Sequence, residues 1–153
     1  MEKSVDDSDL VPYLCWKGKA DCCRGGKVFM TTEEVINIAQ SLPLEQRKEF
    51  IRRLDQHVDF SIYEQGEACQ FLDAENFCTL HDKKLKPVEC GWWPLHAYVE
   101  GDKVVIRIST CECGKHISEE SVTLVKKGIQ KVGEDRIRRF RKIYAGEDPT
   151  RPL

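Results

Sequence analysis

The stretch Ala97-Tyr98-Val99-Glu100-Gly101-Asp102-Lys103-Val104-Val105-Ile106-Arg107-Ile108-Ser109 has the pattern of a β-hairpin. Gly101-Asp102 suits a two-residue turn, and Val104, Ile106 and Ile108 alternate with Lys103, Val105, Arg107 and Ser109. Val28-Phe29-Met30 reads as a further short strand. Helical patterns stand on both sides. Thr31-Thr32-Glu33-Glu34 is a helix start in which Thr31 caps and Glu34 completes a capping box. Val35, Ile38, Ala39 and Leu42 then share a face until Pro43. A second helix is predicted over 44–58, with Phe50, Ile51, Leu54 and Val58 on one side. Residues 118–146 repeat the helical period, with Gly133 breaking it into two segments. The chain therefore reads as one small α+β domain with helices towards both ends, one β-hairpin and irregular cysteine-rich loops. The domain is expected over 13–146, with a loose arm over 1–12 and a loose tail over 147–153.

The 153 residues carry 24 Lys and Arg against 26 Asp and Glu, a formal charge of −2, which excludes a bulk polycation built to coat nucleic acid. A hydrophobic content of 41% excludes wholesale disorder. No apolar run reaches the ~20 residues that span a bilayer. The first residues are acidic and lack the basic and apolar regions of a signal peptide, so a cytoplasmic location is expected, with no membrane association.

Cysteine is the compositional outlier. Cys15, Cys22, Cys23, Cys69, Cys78, Cys90, Cys111 and Cys113 fall in the connections between regular elements, the last two directly after the hairpin. In an exported protein this even number would read as a disulfide framework; in a reducing cytosol it reads as metal or redox chemistry. Thiolates favour zinc, copper(I) and the iron of iron–sulfur clusters, and a tetrahedral site takes four of them. Eight cysteines therefore supply one or two centres. The C-x2-C knuckle of ordinary zinc ribbons is missing, as is the C-x2-C-x2-C run of bacterial ferredoxins. If the hairpin strand continues, Cys111 and Cys113 lie on one face.

Several blocks resemble a known family. They are Cys15 to Cys23, Gly66-Glu67-Ala68-Cys69-Gln70-Phe71-Leu72, Phe77-Cys78-Thr79-Leu80-His81, and Lys86-Pro87-Val88-Glu89-Cys90-Gly91-Trp92-Trp93-Pro94. Together they resemble the cysteine-cluster family named for its C-x2-C-x2-C-C motif, described as a zinc- or iron-chelating domain. The resemblance covers roughly residues 13–95. It implies that Cys15, Cys22, Cys23, Cys69, Cys78 and Cys90 are metal ligands; Cys111 and Cys113 join them on spacing alone. The pattern departs from the family's at four places. Gly18 stands where the second cysteine is expected, His81 replaces a tyrosine, Lys86 replaces an arginine, and Gly91 replaces an arginine after the last cysteine.

The expected cofactor is an iron–sulfur cluster or Zn2+, with a slight preference for iron–sulfur. The expected role is redox, metal carriage or sensing. The alternatives are a structural zinc domain serving a partner enzyme and, less favoured, a disulfide-stapled exported protein. The partners are then a metal ion or cluster and a protein partner, not nucleic acid. His81 and His116 each follow a cysteine at C-x2-H spacing, and His96 lies close behind Trp93-Pro94, so mixed ligation is a further option. The aromatic residues Phe71, Phe77, Trp92 and Trp93 read either as a shield around a centre or as ordinary core. Lys126, Lys127, Lys131, Arg136, Arg138, Arg139, Arg141 and Lys142 form a basic run that reads first as a solvated helix face. No nucleotide-binding, hydrolase or metalloprotease motif is present, so no catalytic residue is assigned.

Overall fold

Strand β1, Lys27–Thr31, is apolar without alternation because both of its faces are covered. Phe29 points into one hydrophobic core, while Val28 and Met30 point into a second. β1 pairs antiparallel with β3, Phe60–Glu64, in a register that sets Phe29 opposite Ile62. β3 divides its side chains the same way, sending Phe60 and Ile62 to the first core and Tyr63 to the second. A short β2, Leu54–Gln56, completes the sheet in the order β1-β3-β2. The computed structural model from which this architecture is taken describes residues 26–110, 117–146 and 150–153.

Helix α1, Thr32–Ser41, follows β1 at once. Its predicted capping box is formed: the Glu34 amide donates to Thr31 Oγ1 at 3.2 Å, and the Thr31 amide donates to Glu34 Oε1 at 2.9 Å. Helix α2 runs over Leu44–Arg52, shorter than the 44–58 its periodicity predicts. Beyond Arg52 the chain leaves the helix and pairs with β3 through Leu54 opposite Tyr63. The expected apolar face is correspondingly divided: Phe50 is fully buried, whereas Ile51 is 46% exposed and Val58 is 96% exposed. β3 itself lies where little regular structure is expected, so the described residues form two three-stranded sheets rather than a lone hairpin.

The hairpin forms as predicted. β4, Leu95–Glu100, and β5, Lys103–Ser109, meet with Glu100 opposite Lys103, leaving Gly101 and Asp102 as the turn. Gly101 has φ 62°, a conformation that costs glycine little. Gly133, at φ 96°, separates α4, Glu119–Val132, from α5, Glu134–Ile143, as its break in the pattern predicts. β6, Thr150–Pro152, pairs with β5, so the expected loose tail is tied into the second sheet at this point.

The first core joins the two sheets. Phe29 packs at 5.6 Å from Phe60 and 5.3 Å from Phe140 of α5, aromatic pairs each worth roughly 0.5–1.5 kcal/mol beyond their buried area. The basic run of α5 is largely spent inside the fold. Arg139 grips Asp59 through two bonds of 2.6 and 2.8 Å, Arg138 donates to the Asp102 carbonyl at 2.8 Å, and Arg141 donates to the Ala97 carbonyl at 2.8 Å. These contacts fix α5 against both sheets. Among the described residues, no helix is long and apolar enough to cross a membrane.

Gly128 of α4 lies against the indole of the buried Trp92, and a Cβ added there would stand 2.6 Å from Trp92 Nε1. Gly128→Ala gains helix propensity yet forces this ring to move, and crowding of a packed core costs about 1–3 kcal/mol. Chemical unfolding should show Gly128→Ala less stable than wild type; equal or greater stability would contradict the packing.

Candidate metal centre

Three of the eight cysteines fall within the described residues: Cys69, Cys78 and Cys90, each half-buried. Cys69 and Cys78 belong to one loop and Cys90 to a later turn, yet all three line one cavity of about 90 Å³. The same cavity is lined by Gly26, Glu89, Trp93, His96 and Arg141. The three cysteines also pack against the second core beside Tyr63, Phe71 and Leu80.

Each loop is held by tethers that reach far along the chain. Arg53 Nη1 donates to the carbonyls of Gln65 at 2.7 Å and Ala68 at 3.1 Å, while its Nε meets Glu49 at 2.7 Å. This fixes the approach to Cys69. Glu49 is held down to about 2, chiefly by its hydrogen bonds to Arg52 and Arg53, so it stays charged. The 69–79 loop is then folded back on itself. Leu72 bridges Cys78, the Thr79 amide donates to the Phe71 carbonyl at 2.7 Å, and Asp73 Oδ1 accepts the amides of Glu75 and Phe77. Asn76 sits at φ 68°, a position in which asparagine is among the tolerated residues. Cys69 and Cys78 are thereby brought near each other. Leu80, 1% exposed, anchors the single turn α3, Thr79–Asp82, that follows.

Cys90 lies in a 3-10 turn, Val88–Gly91. The Val88 amide donates to Glu34 Oε2 at 2.7 Å, across 54 residues. The capping carboxylate of α1 thus also holds the Cys90 turn. Behind it the cavity wall is completed by Gln65, which is fully buried; Gly26 donates its amide to Gln65 Oε1 at 3.0 Å and accepts the Gln65 amide on its carbonyl at 3.0 Å. Gly26 is three residues beyond Cys23 in the sequence.

The surroundings of Cys69 favour its neutral thiol. Burial pushes the Cys69 thiol up, and the neighbouring Cys78 adds to the rise. Burial also raises the Tyr63 phenol, whose oxygen stands 3.7 Å from Cys69 Sγ. Glu89 is pushed up to about 7 by burial, and His96 down to about 4 by burial and by Arg141. Lys86, in the loop before the Cys90 turn, lines the same cavity, and its ammonium is buried with no hydrogen-bond partner.

Other expected candidates are placed as follows. Cys15, Cys22, Cys23, Cys111, Cys113 and His116 lie outside the described residues, as does the 1–12 arm. β5 ends at Ser109, before Cys111, and Thr110 is a bend. His81 lies on α3 and lines a second cavity with Cys78, Asp73 and Asp82. His96 meets Ser109 Oγ at 2.6 Å. Phe71 and Trp92 belong to the two cores, whereas Trp93 faces the cavity. Among the described residues, no group of three His, Cys, Asp or Glu is arranged to hold a metal ion. Sequence reasoning missed Glu34, Arg53 and Gln65 as supports. The Thr31-x-x-Glu34 box was visible, but nothing local signals its second partner at Val88.

A family model described as "CxxCxxCC: Putative zinc- or iron-chelating domain" matches residues 14–113, more than half of the chain. The chain belongs to this family. The match extends past the expected limit at 95 and takes in all eight cysteines, Cys111 and Cys113 included. No curated protein and no solved structure matches the chain. A CxxCxxCC domain is thus described by its family as chelating zinc or iron, and the three cysteines that share a cavity here fall within the matched range.

Two outcomes follow from this geometry. Removing the Glu34 carboxylate abolishes its bonds to Thr31 and Val88, so Glu34→Ala should lose about 1–3 kcal/mol in urea unfolding, whereas Glu34→Gln, which keeps one acceptor oxygen, should lose less. Equal stability of Glu34→Ala and wild type would show that the bridge contributes nothing. The depressed His96 gives a pH dependence. The folded chain binds fewer protons than the unfolded chain between about 4 and 6.5, so this stability is full above 6.5 and declines as pH falls toward 4. From pH 7 to 5 the His96 share of the stability should fall by about 2 kcal/mol, against an opposite gain from Glu89, which the folded chain protonates more readily over the same range. His96→Gln should therefore raise stability at pH 5 relative to pH 7 by about that share. An unchanged slope in that variant would refute the assignment.

Proposed function

We propose that Cys15, Cys22, Cys23, Cys69, Cys78, Cys90, Cys111 and Cys113 gather into one or two thiolate metal centres that hold an iron–sulfur cluster or zinc, and that the protein serves in electron transfer, metal carriage or sensing. The observation that carries this reading is the convergence of Cys69 and Cys78, from one loop, and Cys90, from a later turn, on one cavity. Connectivity supports the rest. An extended chain covers about 3.5 Å per residue. Cys22 and Cys23 precede Gly26, on the cavity wall, by four and three residues, and Cys111 follows Ser109, the partner of cavity-lining His96, by two.

The donor set fits the group. Sulfur ligands suit zinc and iron–sulfur clusters alike. When bound, an iron–sulfur cluster supplies one-electron chemistry, whereas zinc supplies a closed structural or exchangeable site. The protein's own residues do the remaining work: Arg53, Asp73 and Glu34 orient the loops, and Phe71 and Leu80 wall off the core side. The partial exposure of the three cysteines leaves some solvent access, which favours redox, carrier or sensor use. The packing of the same cysteines against the second core favours a second reading, a structural zinc domain serving a partner enzyme. A cytoplasmic location follows from the thiol chemistry, since such sites are kept in reducing compartments.

Anaerobic purification with a visible spectrum and with iron, acid-labile sulfide and zinc per chain tests the proposal. Iron and sulfide in equal amounts with a brown colour are expected for the cluster reading, and one or two zinc ions without colour for the zinc reading. Cys78→Ser should lower metal content in either case, and metal removal should lower Tm. A metal-free protein with all eight thiols oxidised would overturn both.

A further inference from the structure

The Lys86 ammonium is an isolated buried charge. Its side chain leads between two cavities: the one lined by Cys69, Cys78 and Cys90, and a second lined by Asp73, Glu75, Phe77, Cys78, His81 and Asp82. Cys78 borders both, so Lys86 and Cys78 share two walls. Yet the Lys86 Nζ has no hydrogen-bond partner, although the acidic residues of the second cavity are nearby. A buried cation without a partner is costly, and such groups are ordinarily paired. The chain keeps this one beside its thiols.

We infer that Lys86 is the counter-charge of the thiolate centre: it touches no metal, but it stabilises the charge that appears when the thiols lose their protons to a metal. This inference rests on the proposed metal centre. Four thiolates around one divalent ion carry a net charge of about −2. A cation on the wall of that cavity then acts at low dielectric, where a charge pair a few ångströms apart is worth a tenfold change in affinity or more. Lys86 therefore shifts the balance toward the loaded, deprotonated form. It is a positioning residue for charge rather than a ligand.

The test uses the full chain, reduced and held without oxygen, with Zn2+ titrated against a chelator and Co2+ added separately to read the thiolate-to-metal absorption band. The variants are Lys86→Met, which removes the charge and keeps the length, Lys86→Arg, which keeps the charge, and Lys83→Met at a nearby exposed lysine. Lys86→Met should bind Zn2+ about tenfold more weakly with the Co2+ band undiminished. Lys86→Arg and Lys83→Met should stay within about twofold of wild type. Unchanged Zn2+ affinity in Lys86→Met overturns the inference while leaving the metal centre standing. So does an equal loss in Lys86→Met and Lys86→Arg, or a Co2+ band that falls in Lys86→Met, since either assigns the residue to shape. A wild-type chain that binds neither ion through thiolates overturns the metal centre and this inference together.

Discussion

The pairing of β1 with β3 is the constraint on which the rest of the molecule depends. Both strands are covered on both sides, with Phe29, Phe60 and Ile62 turned to one core and Val28, Met30 and Tyr63 to the other. A strand buried twice cannot slip by one residue without exchanging its two sets of side chains. Register is therefore fixed, and with it the positions of Thr31 at the strand's end and Gln65 just past its partner. These two residues begin the tethers of the cysteine loops.

From this layer, order spreads to the cavity through a few polar contacts rather than through regular structure. Glu34 caps α1 with one carboxylate oxygen and holds Val88 with the other. Arg53, at the end of α2, grips two carbonyls of the loop that leads to Cys69. Buried Gln65 closes on Gly26. The Glu34 and Arg53 bonds are charge-assisted, hence stronger than neutral ones, and directional, so they can aim a loop that belongs to no sheet. The cysteines are left at the ends of aimed loops, with apolar residues of the second core behind them.

Much of the fold was legible in the sequence, and where it was not the reason is physical. The hairpin, the capping box and the break at Gly133 are written in residues a few positions apart, and all three formed. β3 was hidden because Phe60-Ser61-Ile62 alternates for only three residues before Tyr63 turns apolar on the other face, as a strand covered on both faces can. The overlong second helix was a false period. Leu54 and Val58 fall in phase with Phe50, but Leu54 is claimed by pairing with Tyr63 and Val58 by solvent. The basic run of α5 read as a solvated face because its partners Asp59, Asp102 and Ala97 are 36 to 80 residues away. The same distance concealed the cavity. Cysteine type and number pointed to the chemistry, while Glu34, Arg53, Gln65 and Lys86 owe their place in it to the fold.

The site and the fold are consequently one energetic system. Cys69, Cys78 and Cys90 are packed with Phe71 and Leu80 on the core that β1 and β3 also line. A ligand that binds only the assembled thiols stabilises the folded chain by mass action, and that stabilisation acts on the same side chains that fix the central register. The converse holds with equal force. Any change that loosens Glu34 from Val88 or Arg53 from the 65–68 loop acts directly on the segments that carry the sulfur atoms, which these tethers and one short bridge between Leu72 and Cys78 hold in place of a sheet. In this chain the contacts most exposed to such loosening are polar and long-range, whereas the sheet–helix core is apolar and continuous. Geometry at the thiols should therefore fail earlier than the fold, which places control of the site in the tethers rather than in the core.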